Sequence, residues 1–199
     1  MKIHNMPQRS PEWFEIRDLK MSASHASTIA ANGKGLVTYV NELLQDHYAV
    51  TEREMYTNPA MQHGIDMEPS AVFVYESMTG QTVEHVGFVE HNDYSGMSPD
   101  GFIGDNGMIE IKCPTKKVFF QLLMDDKIDP KYYAQMQMQL LISEREWCDY
   151  VVFSVDFSKQ IVIKRVEPDE KMFKKLNAGL EHGAELIKEG VEKLDAILK

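Results

Sequence analysis

Apolar side chains fall at helical spacing over residues 36–50, where Tyr39, Val40, Leu43, Leu44 and Tyr48 line one face and predict a helix. Upstream, Ser10-Pro11-Glu12 is a helix start: a serine that can cap the first turn and a proline preset for the first helical position. A short helix is expected from about Ser22 or Ser24. Asn58-Pro59 opens another, Gly80 is placed to end it, and Pro69 inside it predicts a kink or break. From Gln81 the period shortens. Residues 82–90, 108–112, 150–157 and 161–166 are runs rich in β-branched and aromatic residues bounded by turn formers, and read as strands. Helices are expected over 115–124 and 130–142. Residues 168–198 read as a long amphipathic helix, with Gly179, Gly183 and Gly190 as points where it could break. This order predicts an α/β fold with a central mixed β-sheet flanked by helices. Without repeats, low-complexity stretches or linkers, residues 1–199 are expected to form one domain.

Composition narrows the class. The 199 residues are 43% hydrophobic and 26% charged, enough apolar content for a packed core. No apolar run approaches the roughly 20 residues that cross a bilayer, and MKIHNMPQRS lacks the apolar centre of a secretory leader. A cytoplasmic chain is the expectation. Cys113 and Cys148 are too few for a disulfide framework, a four-cysteine zinc site or an iron–sulfur cluster. With 31 acidic against 21 basic residues the net charge is -10, which argues against nonspecific coating of nucleic acid.

The chemistry concentrates in Ser98-Pro99-Asp100-Gly101 and Glu110-Ile111-Lys112. On a strand, Glu110 and Lys112 share a face and Ile111 takes the other. Asp105-Asn106-Gly107 is turn chemistry for a hairpin that would bring Asp100 opposite Glu110. Two carboxylates and an ammonium on one surface suit a hard divalent cation, which takes oxygen ligands, keeps waters and accepts a phosphate oxygen. Taken alone, the same spacing also fits a turn aspartate beside an exposed Glu/Lys pair. The Pro-Asp-Gly turn and the apolar strand ending in Cys113-Pro114 favour the metal-binding reading, with phosphodiester hydrolysis as its natural use.

Six segments then align in series. They are Gln8-Arg9-Ser10-Pro11-Glu12-Trp13 with Arg17; Ser22-Ala23-Ser24; His63-Gly64 with Glu68-Pro69 and Tyr75-Glu76; Ser98-Pro99-Asp100-Gly101; Glu110-Ile111-Lys112-Cys113-Pro114; and Tyr133-Ala134-Gln135-Met136-Gln137. In these the chain resembles the lambda-exonuclease/YqaJ family of viral recombination nucleases, within the PD-(D/E)xK superfamily with its restriction-endonuclease-like core. The resemblance implies Asp100, Glu110, the Ile111 carbonyl and Glu68 as metal ligands, and Lys112 as the catalytic lysine. It places Gln135 at the active site, with Gln137 roughly 200° round the helix as the alternative. It makes Arg17 the grip on a terminal 5′-phosphate, a task suited to its planar fork, with Ser24 and Ser98 as hydroxyl partners. Trp13 is expected to pack rather than stack on a base.

The activity so implied is a Mg²⁺-dependent 5′-to-3′ exonuclease, with Mn²⁺ as a substitute and one or two ions. It would leave 3′ single-stranded overhangs for a single-strand annealing protein, act as a homotrimeric ring on 5′-phosphorylated duplex ends, and work in the host cytoplasm if phage-encoded. The alternatives are a restriction-like endonuclease, a Cas4-like nuclease without its cluster, and an inactive DNA-end-binding module. Charge by segment fits the metal reading: residues 61–112 hold nine acidic groups and one basic, Lys112 itself. Such a field favours divalent cations over phosphate.

Overall fold

The computed structural model describes residues 1–51 and 58–198. Two of its helices begin where motifs in the sequence supply a side chain to satisfy a first-turn backbone N–H. Ser10 accepts from the Trp13 N–H and opens α1 (Pro11–Ile16). Asn58 accepts from the Met61 N–H at 2.9 Å and opens α4 (Pro59–Thr79). Gly80, left-handed at φ 69°, ends α4. A single 3₁₀ turn (Ala23–His25) leads into α2 (Ala26–Ala31), followed by α3 (Lys34–Tyr48). Helices α5 (Lys116–Asp125) and α6 (Pro130–Ser143) follow, and α7 (Glu170–Leu198) closes the chain.

The expected mixed sheet flanked by helices is present, and another mixed four-stranded sheet accompanies it. The accompanying sheet comes first along the chain and joins β1 (Lys2–His4), β3 (Phe88–Asn92), β4 (Ser95–Met97) and β2 (Met21–Ser22), in that order. The second runs β5 (Gly101–Ile103), β6 (Gly107–Lys112), β7 (Trp147–Phe153), β8 (Ile161–Val166), with β6 and β7 parallel and the outer pairs antiparallel. The strand expected over 82–90 begins only at Phe88; before it the chain touches the second sheet through an isolated Glu84–Phe102 bridge. Gly87 marks the crossing, since a Cβ there would sit 2.3 Å from the Met6 carbonyl oxygen.

Two helices run unbroken where a break was possible, for reasons of packing. Helix α4 runs through Pro69 without a break, because Ala71 and Tyr75 beyond the proline are fully buried and dock it on the second sheet. Helix α7 runs through all three glycines. A Cβ at Gly179 would lie 1.9 Å from the Ile29 carbonyl oxygen, at Gly183 2.4 Å from Met21 Sδ, and at Gly190 2.3 Å from Leu44 Cδ1. These glycines let neighbouring backbone and side chains approach the helix axis; they are contact points, not breaks.

The pleat of the second sheet sorts its residues. Ile109 and Ile111 of β6, with Val151 and Phe153 of β7, pack with Ala71 and Tyr75 of α4 in one apolar cluster. Met108, Cys148, Tyr150 and Val152 face the larger core, which includes Ala134, Met136, Met138 and Leu140 of α6. Glu110 and Lys112 therefore point to the α6 side.

Candidate active site

Hairpin register assembles the first part of the site. Gly101 pairs with Ile109 and Phe102 with Met108 across β5 and β6, and extending that register by one step sets Asp100 against Glu110. The Asp100 Oδ2 also accepts the Ile111 N–H at 2.6 Å, which fixes its carboxylate at the strand end. Gly104, at φ 51°, turns the connection, and Arg145 holds it by donating to the Gly104 and Gly107 carbonyls.

Glu110 is 1% exposed, and a buried carboxylate must be compensated. It is held by three donors. Lys112 Nζ and Gln135 Nε2 both donate to Oε1, the latter at 2.7 Å, while Gln139 Nε2 donates to Oε2 at 2.7 Å. Gln137 turns away: its amide donates to the Glu167 carbonyl and accepts the Asp169 N–H, tying α6 to the start of α7. Gln135, not Gln137, thus meets the acid. Gln139 was absent from the sequence-based set, though its signal was present as a polar residue one helical turn after Gln135 among methionines and leucines.

Glu68 comes from α4, on the opposite side of the second sheet. With Asp100, Ile111 and Lys112 it lines a cleft of about 1630 Å³. Burial raises the Glu68 carboxyl above the usual range; Arg9 pulls it back and Glu110 pushes it further. Asp100 is raised well above its ordinary value, first by burial, then by the charge of Glu110. Burial alone would lower the Lys112 ammonium, but the Glu110 and Asp100 charges outweigh it and keep Lys112 firmly protonated. Cys113, beside these acids, is pushed up to about 12, chiefly by burial and then by Glu68, so it is no thiolate nucleophile.

The carboxylates of Asp100, Glu110 and Glu68 offer oxygen ligands of the kind a hard cation takes. The raised carboxyls of Asp100 and Glu68 are those a bound cation would relieve. The residues fit the ion by chemistry, although among the described residues no three His, Cys, Asp or Glu side chains converge to enclose one. Glu110 is turned into its lysine and two amides instead.

The opposite cleft wall comes from the N-terminal segment. Arg17 stacks its guanidinium 4.0 Å from the Trp13 ring centroid and donates to Ser98 Oγ at 3.2 Å. Trp13 Nε1 donates to the same oxygen at 2.9 Å and to the Gly87 carbonyl. Trp13 is thus a hydrogen-bonded support, and Ser98 links Arg17 to the chain two residues before Asp100. Ser24 is exposed on the 3₁₀ turn, where its hydroxyl meets Ser22 Oγ at 2.9 Å and His25 Nδ1 at 3.3 Å. His25 stacks on Tyr39 and lines the cleft with Arg17.

Residues 12–146 match the family described as the YqaJ-like viral recombinase domain. The chain belongs to that family. Among solved structures, an alkaline exonuclease (LHK-Exo) from Laribacter hongkongensis superposes with a TM-score of 0.85 at 31% identity, covering 96% of this chain and 100% of that one. LHK-Exo in complex with dAMP gives the same TM-score and identity over 94% and 98%. A phage related exonuclease from Haemophilus somnus 129PT shares the fold, with a TM-score of 0.67 at 14% identity over 90% and 98% of the two chains. No curated protein sequence matches. The mixed α/β architecture of this YqaJ-like chain is that of these nucleases, and among its described residues no helix is long and apolar enough to cross a membrane.

Proposed function

We propose that this YqaJ-like chain, read as one nuclease domain over residues 1–199, is a divalent-metal-dependent exonuclease on duplex DNA ends. Its cofactor is Mg²⁺, with Mn²⁺ able to substitute. It removes nucleotides from the 5′-phosphorylated strand in the 5′-to-3′ direction and leaves a 3′ overhang for a single-strand annealing protein, working as a trimeric ring. The observation that carries this reading is the β5–β6 register, which sets Asp100 against Glu110 and puts Lys112 on the Glu110 face at the edge of the cleft. The 31% identical exonuclease supports it.

In this reading Asp100, Glu110, Glu68 and the Ile111 carbonyl hold the cation, which when bound offsets phosphate charge and lowers the pKa of an attacking water. The chain's own groups do the rest. Lys112, kept charged by its acidic neighbours, stabilises charge building on the scissile phosphate. Gln135 holds Glu110 from the helix behind it. Arg17, braced by Trp13 and Ser98, grips the terminal phosphate, with Ser98 and Ser24 completing the polar surround. A fixed phosphate and a fixed acid cluster set the scissile bond against the site.

A blunt linear duplex labelled separately at each 5′ and 3′ end, incubated with Mg²⁺, tests the polarity, with closed circular DNA as the end-dependence control. Early release of the 5′ label and an intact circle are expected. Early loss of the 3′ label would refute the polarity, and cutting of the circle would make the enzyme an endonuclease.

A further inference from the structure

We propose that Gln139 is a positioning residue whose amide fixes the Glu110 carboxylate and thereby sets how tightly the site holds a divalent cation; this rests on the metal-dependent nuclease reading above.

Helix α6 presents Gln135 and Gln139, one turn apart, to the same acid. Each amide donates at 2.7 Å to a different oxygen of Glu110. Oε1 also receives Lys112, whereas Oε2 has Gln139 as its side-chain donor. The torsion of the carboxylate is therefore fixed by the donors on its two oxygens, and among the described residues Gln139 is the side-chain donor that holds Oε2.

The other end of Gln139 shows what this arrangement costs. The side chain is 1% exposed, and its Oε1 has no hydrogen-bond partner among the described residues. Rotating the amide would not help, because Oε1 would then face Glu110 Oε2, acceptor against acceptor. The negative charge on Glu110 dictates which end of the amide points toward it, and the orphaned oxygen follows. Gln137 is equally buried on the same helix, yet both its ends are satisfied, by the Glu167 carbonyl and the Asp169 N–H. Its neighbours Met136 and Met138 show that this helix fills buried positions with apolar side chains where packing alone is at stake. A buried amide with one satisfied end, aimed at the proposed metal ligand, serves the ligand and not the core.

Gln139→Met and Gln137→Met separate the two roles. Mn²⁺ binding to the full chain without DNA is followed by electron paramagnetic resonance of the free ion. Thermal unfolding and the Mg²⁺ concentration giving half-maximal cleavage of a linear duplex complete the set. Gln139→Met is expected to weaken Mn²⁺ binding and raise the Mg²⁺ midpoint about tenfold, the loss of one charge-assisted hydrogen bond. Its Tm should be unchanged or higher, since the orphaned oxygen is gone. Gln137→Met should lower Tm and leave Mn²⁺ binding unaltered. Wild-type Mn²⁺ affinity in Gln139→Met, or a Tm loss matching Gln137→Met, would overturn the assignment. A wild-type chain that neither binds Mn²⁺ nor cleaves would overturn the nuclease reading itself, a result distinct from an active wild type beside an indifferent Gln139→Met.

Discussion

Tyr75 donates its hydroxyl to Asp149 Oδ2 at 2.7 Å, joining the helix that carries Glu68 to the strand beside Glu110. Asp149 is buried and also receives a two-point contact from Arg165, at 2.8 and 2.9 Å. Tyr75→Phe keeps the ring and removes one donor to a buried carboxylate, so unfolding in urea should show a loss of about 1–3 kcal/mol. Cleavage should fall as well, because Glu68 lies two turns back on the same helix. Unchanged stability would mean that Arg165 alone satisfies Asp149.

Lys112→Met removes the ammonium while Glu110 retains both glutamine donors. The fold should persist, and binding to duplex ends should stay near wild type. The single-turnover cleavage rate should drop on the order of 10²–10³-fold or more. Cleavage within a few-fold of wild type would remove Lys112 from the mechanism.

Asp100 supplies a pH signature. Its carboxyl is raised in the fold, by burial and by Glu110, so the protonated form is favoured there relative to the unfolded chain. The folded state is then most stable below the ordinary aspartate range and loses stability as pH climbs through the raised value, with Glu68 acting in the same direction. Asp100→Asn can still accept the Ile111 N–H and should flatten this dependence. In metal-free buffer the variant should match wild type at acid pH and exceed it near neutrality, where each 1 kcal/mol relieved raises Tm by roughly 2–4 °C. Added Mg²⁺ should lift wild type and not the variant. Parallel melting curves across pH would contradict the placement of that buried charge.

Glycines in helices offer an opposed pair. Gly179→Ala drives a methyl group onto the Ile29 carbonyl and should cost about 1–3 kcal/mol. Gly64→Ala, inside α4 with nothing within 4 Å of the new Cβ, should stabilise by about 0.5–1 kcal/mol. Thermal melts of the two variants should therefore move in opposite directions. A Gly179→Ala chain as stable as wild type would undercut the close packing of α7 on α2, and a destabilised Gly64→Ala would contradict the open space around Gly64.

What the sequence made legible followed local rules. Caps at Ser10 and Asn58, the αL glycine at 80 and the turn before Gly107 act over three or four residues, and each lies where the pattern put it. The parts that escaped depend on distant partners. β1, β2, β4 and β5 are two or three residues long, too short to show a period, and exist because neighbouring strands accept them. Pro69 and the three glycines of α7 looked like interruptions because what holds those helices comes from far along the chain: the sheet under Ala71 and Tyr75 beyond the exposed proline, and the side chains and backbone packed on the glycines. Within the site, the juxtaposition of Asp100, Glu110 and Lys112 was readable from the turn and strand pattern. Gln139 was not, because its meaning lies in which face of α6 meets β6, a matter of tertiary packing.

The tight turn between Asp100 and Glu110 also bears on when the protein can become reactive. A hairpin with so short a connection closes on the microsecond scale, whereas docking α4 and α6 requires contacts between segments far apart in the chain. Two of the acids can therefore pair in a chain still being synthesised, before Glu68, Gln135 and Gln139 are in place. Only the completed tertiary structure unites them with Arg17 and the cleft, so a half-made copy carries an acidic hairpin and not the assembled site.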